Sequence, residues 1–483
     1  MSARWIAVIL GAYLALSAPA GRAAEEVTVV AAGDIQWAAK PRNVGVAYYP
    51  PRLFYDGLLD KILEHLPVVS EYGYRPVPYV YEHHEDPWPK PGKQIELGAA
   101  HTNNAIYKTI YHDMHFETVE DTVAHPFSKI APVLKEADIA FVNLENPLSD
   151  RGRHTGLFRG SPAFAGAMAS AGIDVVSTAN NHALDLGEEG LVDTIKSLAA
   201  AGLPSVGTGT DRGRATAPVF LERNGMRFAF LAYSMLENSG ELGFASSERS
   251  GVAPLDPILV EEGVKAVRDQ ADYVIVSFHW SRETLRDVHP VARAIAHRTI
   301  DAGADVIIGH HPHVPQGVEV YHGGIVLYSL GNFIFGFYRD DWMDNILARI
   351  TFTPEAIVRV EILPIAGIGR DLGQPYLLEG EPANSLLTDL QVRSAALDTL
   401  MEIEDGVGVI KPDVARLPPA RFSASALLHS AARLITAAGV LALVFVVLMW
   451  TIAPQFRAQS FGGNGVGRER SGRRFVGRTR RDD

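Results

Sequence analysis

Along the chain, short β-branched runs alternate with stretches of helical spacing. Apolar runs at Val27–Ala32, Ile139–Val142, Ile173–Val176, Tyr273–Phe278 and Asp305–Ile308 have strand length and composition. Between them lie legible helix starts. Ser161-Pro162 opens a helix over Ala163–Ala171 that stops at Gly172, Asp256-Pro257 opens one reaching about Gln270, and Pro290 opens another that ends at Gly303. Strands alternating with helices predict βαβ units and a layered α/β (α+β) fold.

Each strand-like run ends in polar side chains. Asp34 closes the first run. Asn143 and Glu145 close the second, and Asn180, Asn181 and His182 the third. His279 closes the fourth, and the fifth ends in three histidines, His310, His311 and His313. Open α/β sheets gather ligands and catalytic groups at the carboxyl ends of their strands, so one shared site is the economical reading. Imidazole, carboxylate and amide are donors suited to zinc, manganese or iron. The chain has no cysteine, which excludes a thiolate site and a disulfide framework.

Residues 37–127 break the rhythm. Rich in Tyr, Pro and His, they read as an insertion that forms a lid, a substrate wall or a decoration. Beyond Ile368 the chemistry stops. Asn384–Glu404 has the spacing of a helix, and the span 369–430 reads as a helical extension and stalk.

Both ends change the picture. Residues 1–24 have the positive start, apolar core and small-residue cleavage site of a secretory signal. Leu434–Ile452 is a run of 19 residues without a charge, long enough for a transmembrane helix at about 1.5 Å per residue. The tail 453–483 carries eight arginines, which by the positive-inside rule places it in the cytoplasm and the body in the periplasm, anchored by a single pass in the inner membrane. Formal net charge is −12 over 483 residues, which argues against a nucleic-acid partner for the whole molecule.

Taken in order, Ala-Gly-Asp34-Ile, Asn143-Leu-Glu145-Asn-Pro-Leu, Ala-Asn180-Asn181-His182-Ala-Leu-Asp185-Leu-Gly, Phe-His279-Trp, Gly-His310-His311-Pro-His313-Val and Tyr328-Ser-Leu-Gly-Asn332-Phe resemble the CapA family of capsule and poly-γ-glutamate synthesis proteins. The resemblance spans roughly Val27–Ile368, interrupted by the insertion. It implies the four-layered β-sandwich flanked by helices of the calcineurin-like metallophosphoesterases, with a divalent metal pair about 3.5–4 Å apart that activates water for attack at phosphorus. Carried over, Asp34 would bind the first metal, Glu145 would bridge, and Asn181 and His279 would bind the second. His311 and His313 would be shared out between them, and His182 would be the general acid or the group that stabilises the transition state. Asn143, Asn180, Asp185, Glu283, His310 and Asn332 would support these groups or meet substrate. One position departs from the pattern: Gln36 stands where a phosphoesterase has histidine, and an amide is the poorer ligand. Two functions stay open. One is a hydrolase acting on a phosphoester or an anionic polymer beside a membrane polymer synthase. The other is a non-catalytic component that binds polymer or synthase.

Overall fold

The computed structural model describes residues 26–37, 108–109, 123–151, 158–235, 243–335, 337–338, 344–367 and 374–412. The expected signal 1–24, nearly all of the insertion, the stalk beyond 412, the span Leu434–Ile452 and the basic tail lie outside them. Among the described residues no helix is long and apolar enough to cross a membrane. The chain divides into units Met1–Arg421 and Phe422–Asp483, and all of the description concerns the first.

Two sheets carry the fold. In the larger, strand order runs Glu402–Glu404, Val407–Ile410, Ile357–Ala366, Asp344–Phe352, Val27–Gln36, Ile139–Leu144, Val175–Ser177, Ser205–Val206. Asn332–Phe335 also pairs with Val27–Gln36, in parallel. The smaller sheet runs Val318–Tyr321, Gly324–Leu327, Val306–His310, Tyr273–His279, Met226–Ser234, Val219–Arg223. Alternation along the strands sorts their side chains into layers. Val29, Ala31, Phe141 and Val175 of one sheet share a core with Phe228, Phe230, Ile275 and Ile308 of the other. The opposite faces take helices. Val30, Ala140 and Val142 pack on Phe164, Met168 and Leu198, and Leu231, Val274 and Val276 pack on Val260, Val264 and Ile295. The result is helix, sheet, sheet, helix: the four layers expected from the resemblance.

The helices begin and end for local reasons. Pro257–Arg268 starts where the Asp256 carboxylate accepts from the Ile258 and Leu259 N–H groups, with proline at the first position. Ala163–Ala171 stops at Gly172, whose φ of 100° suits a residue without Cβ. Its start differs slightly from expectation, since Pro162 is the cap and the Ser161 hydroxyl accepts from Ala163 N–H.

The region after Ile368 is corrected. The helix is Gly380–Ala395, not Asn384–Glu404. Glu402–Glu404 is a strand that turns through Asp405 and Gly406, both at positive φ, into Val407–Ile410. The helix stops ten residues earlier, where Asp398 takes positive φ and Thr399 N–H bonds back to the Ser394 carbonyl, and the Asp-Gly pair then supplies the two-residue hairpin turn. Val407–Ile410 then pairs with Ile357–Ala366, so the larger sheet takes in residues that sequence had assigned to an extension.

The site end of the larger sheet depends on a close backbone approach. A Cβ at Gly33 would lie 1.9 Å from the Gly331 carbonyl oxygen, the acceptor for Asp34 N–H at 3.0 Å. Pairing with both parallel neighbours shifts register here, and such an irregularity re-aims a side chain. Gly33→Ala should therefore lower unfolding stability by about 1–3 kcal/mol. Gly166→Ala, on a helix with nothing within 4 Å of the added carbon, should raise it by about 0.5–1 kcal/mol. Urea unfolding of the two variants checks the pair, and equal effects would refute the close approach.

Candidate metal centre

Parallel pairing sets the site residues side by side. Asp34 is level with Asn143 on one neighbour and Asn332 on the other, and His279 is level with His310 in the second sheet. The two sheets then meet: His311 N–H donates to Asp34 Oδ2 at 3.2 Å, and His313 Nδ1 lies 3.4 Å from the same oxygen.

Two trios of ligand atoms result, each within 4.8 Å of one another: Glu145, His279 and His311, and Asp34, Glu145 and His313. Glu145 is common to both, the position in which the resemblance puts a bridging carboxylate. His311 belongs to one trio and His313 to the other. Asn181 Oδ1 is 2.9 Å from His279 Nε2, on the nitrogen that faces the first trio.

The supporting groups are bonded behind these. Asn143 donates to Asp34 Oδ1 at 2.8 Å and accepts from Asn180, which also donates to the Leu144 carbonyl at 2.7 Å. Asn180 in turn accepts from the His182 N–H. His313 Nδ1 is 2.9 Å from Asn332 Oδ1, so this amide is buried against a histidine. His310 is likewise no outward-facing group: its ring is buried against Phe141, with Nδ1 3.0 Å from Asp34 Oδ1. Asp185 Oδ2 lies 2.8 Å from His182 Nδ1. Glu283 stands apart, exposed at the rim, where its charge still reaches Glu145, His311 and His313. Gln36 is fully buried two residues past Asp34.

Several neighbours carry no motif signal in the sequence. The Phe158 ring lies 4.0 Å from that of His182, and the Phe335 ring 4.9 Å from that of His313. The loop Ser281–His289 is tied to the histidine loop by Thr284 N–H donating to the Pro312 carbonyl at 2.8 Å. Four non-glycine residues in these two loops have positive φ: Ser281 at 72°, Thr284 at 62°, His311 at 94° and His313 at 57°. Such backbone costs about 1–3 kcal/mol per residue and persists where the surroundings over-determine it.

Electrostatics separate the groups. Burial lifts the Glu145 carboxyl well above the usual carboxylate range, and the Asp34 charge adds to the shift. Burial works against ionised Asp34 too, but contacts with His310 and His313 outweigh it and hold the carboxyl well below that range. Burial drives His279 well down and His311 down to about 4. His313 resists burial through Glu145 and Asp34 and is pushed up to about 10.

These residues fit divalent cations. Both Glu145 oxygens are buried and accept no hydrogen bond, and a buried carboxylate left so is costly unless a cation meets it. Nitrogen and carboxylate donors of this kind suit manganese, zinc or iron. Asn181, His182 and His311 are the side reached by solvent, at 7%, 8% and 6% exposure, whereas Asp34 and Glu145 are at 0%. Glu145→Ala should strip transition metal from both trios, and His311→Ala or His279→Ala from one. Element analysis of protein equilibrated with manganese or zinc tests this, and wild-type metal content in all three would refute the constellation.

With this geometry in view, the comparisons are specific. The family model described as "Bacterial capsule synthesis protein PGA_cap" matches residues 95–337, about half of the 483 residues, though not the strand bearing Asp34. The chain is 32% identical over 249 residues to the "PGA biosynthesis protein CapA" of Bacillus subtilis (strain 168), a match covering 50% of this chain and 64% of that one. It is 32% identical over 253 residues to the "Capsule biosynthesis protein CapA" of Bacillus anthracis, covering 50% and 60%. It is 33% identical over 224 residues to a "Probable polyglutamine synthesis accessory protein" of Mycobacterium tuberculosis, covering 43% and 59%. The chain thus spans under two thirds of the length of these relatives. Among solved structures, the calcineurin-like phosphoesterase YfkN from Bacillus subtilis overlaps it with a TM-score of 0.34 at 13% identity, covering 77% of this chain and 97% of that one. The ordered motifs and the family match agree: the chain belongs to the bacterial capsule synthesis protein PGA_cap family.

Proposed function

We propose that this chain acts in the synthesis or export of poly-γ-glutamate or a similar anionic capsular polymer, as a metal-dependent, phosphoesterase-like hydrolase held at the outer face of the inner membrane. The observation that carries the chemistry is Glu145, a buried carboxylate without a hydrogen-bond partner, shared by two trios of metal-ligand atoms. A structural carboxylate would be satisfied by donors, whereas one that serves cations leaves its oxygens open. Asp34 and His313 would hold one divalent ion with Glu145, and His279, His311 and Asn181 the other. Cations so held supply Lewis-acid polarisation of a phosphoryl oxygen. The chain's own part is orientation and proton delivery. Asn143 fixes Asp34, Asn332 fixes His313, and His182, on the solvent-reached side, is placed to protonate a leaving alkoxide. The names of the relatives support a place beside a membrane polymer synthase, and the phosphoester or polymer-linked bond is the expected substrate.

Gln36 supports a second reading, a component that binds polymer or synthase without catalysis. One variant separates the two. His182→Ala should keep its metal and its fold yet lose about 10²–10⁴-fold in phosphodiesterase activity, the usual share of general acid–base catalysis. Normal polymer output from cells carrying His182→Ala would instead support the binding reading.

The membrane placement rests on sequence: the signal-like start, the apolar span Leu434–Ile452 and the arginines after it. A reporter that fluoresces only in the cytoplasm, fused after Pro412 so that the larger sheet stays whole, should be dark. Fluorescence there would overturn the orientation.

A further inference from the structure

We propose that Phe158 is a positioning residue, a clamp that fixes the ring of His182 through both its backbone and its side chain. The inference rests on the hydrolase reading above and adds a group that no motif contains.

The backbone half acts through Asp185. Phe158 N–H donates to Asp185 Oδ2 at 2.7 Å, and that same oxygen lies 2.8 Å from His182 Nδ1. A carboxylate can only accept, so Nδ1 carries the hydrogen in this contact, and Nε2 is the nitrogen that would take up a proton, from solvent, and pass it to the leaving oxygen. Anchoring the shared oxygen by a main-chain donor fixes where the imidazole must point. The side-chain half covers the ring. The Phe158 and His182 centroids are 4.0 Å apart at 33°, close enough to block rotation about the last side-chain bond. Phe158 is itself braced edge-on by Phe335 at 5.9 Å, and the Phe335 ring rests on His313. One aromatic chain therefore joins His182 to an imidazole of the metal centre.

The segment that bears Phe158 is held against the loop that follows Glu145. Gly160 N–H donates to the Pro147 carbonyl at 2.8 Å, and Ser149 N–H donates to the Gly160 carbonyl at 3.2 Å. A Cβ at Gly160 would come within 2.3 Å of Asn146 Nδ2. The clamp is thus referenced to the same backbone that places the shared carboxylate, so His182 and Glu145 keep a common frame. A residue that only filled space would need neither the donor to Asp185 nor the face contact with His182.

The test uses the full-length chain with 15N-labelled histidine, and reads the His182 tautomer from long-range nitrogen–proton correlation in the metal-free protein. The His182→Asn spectrum assigns the signal. Wild type and Phe158→Tyr should show one fixed tautomer protonated at Nδ1 and a ring as rigid as the backbone by 15N relaxation, whereas Phe158→Leu, which keeps the main-chain donor to Asp185, should keep the tautomer but gain ring motion. A ring as rigid in Phe158→Leu as in wild type, or an averaged tautomer in wild type, would overturn the clamp. Unfolding and metal content report whether Phe158→Leu is intact, and Phe158→Met replaces it if it is not. Kinetics on the zinc-loaded enzyme supply the second arm. On glycerophosphoethanolamine, whose alkoxide leaving group needs a proton, Phe158→Leu should lower kcat about 10- to 100-fold with KM unchanged. On bis(p-nitrophenyl) phosphate, whose leaving group does not, the loss should be much smaller, and Phe158→Tyr should restore both. A rise in KM with kcat unchanged would also overturn the proposal. A wild-type chain that cleaves neither ester would sink the hydrolase reading alone, and the His182 ring relaxation would still decide the clamp.

Discussion

A carboxylate buried without a hydrogen-bond donor is among the most costly groups a fold can carry, and Glu145 is such a group at the junction of two sheets. The arrangement around it follows from that constraint. Amides and imidazoles surround it instead of a lysine or arginine that would neutralise it permanently. His279 Nε2 stands 3.6 Å and His313 Nε2 3.8 Å from Glu145 Oε1, contacts too long for hydrogen bonds, one in each of the two trios that share this carboxylate.

Holding that junction takes rigidity on both sides. In the larger sheet, Gly33 lets the backbone of the Asp34 strand press onto Gly331. In the smaller, a Cβ at Gly309 would meet the Tyr328 carbonyl oxygen at 1.9 Å, and that carbonyl accepts from Trp280 Nε1 at 3.0 Å. Trp280 is buried beside Tyr328, and the Tyr328 hydroxyl donates to Glu319, which Arg293 and His297 also contact. The histidine loop thus rises from a strand end with no slack, which is how His311 and His313 can be kept at positive φ. The strain is local to the loops, and the inter-sheet core of Val29, Phe141, Phe230 and Ile308 supplies the packing that over-determines it.

The charge pattern has the same logic. The site concentrates two carboxylates and four imidazoles, yet its outer rim includes exposed Glu283. His182 lies outside the two trios, on the side that solvent reaches, held by Asp185 and Phe158. Asn181 and His311 reach solvent on the same side as His182, while Asp34 and Glu145 lie fully buried behind them.

Much of this was legible in the chain alone. Strand runs, helix starts at Asp256-Pro257 and Pro290, the stop at Gly172, and the polar residues closing each run depend on local rules of period, capping and strand polarity. Those rules act within a few residues, and the fold and the roster of site residues followed from them and from the family resemblance. Tertiary structure decided what depends on distance across the sheets. It placed Glu145 in both trios, turned Asn332 and His310 inward onto His313 and Asp34, and left Glu283 at the rim. It also brought Phe158 onto His182 and drew Val407–Ile410 into the larger sheet in place of a longer helix. None of these has a signature in spacing, because each rests on contacts between residues distant along the chain, and a contact of that kind is set only when both sheets have packed.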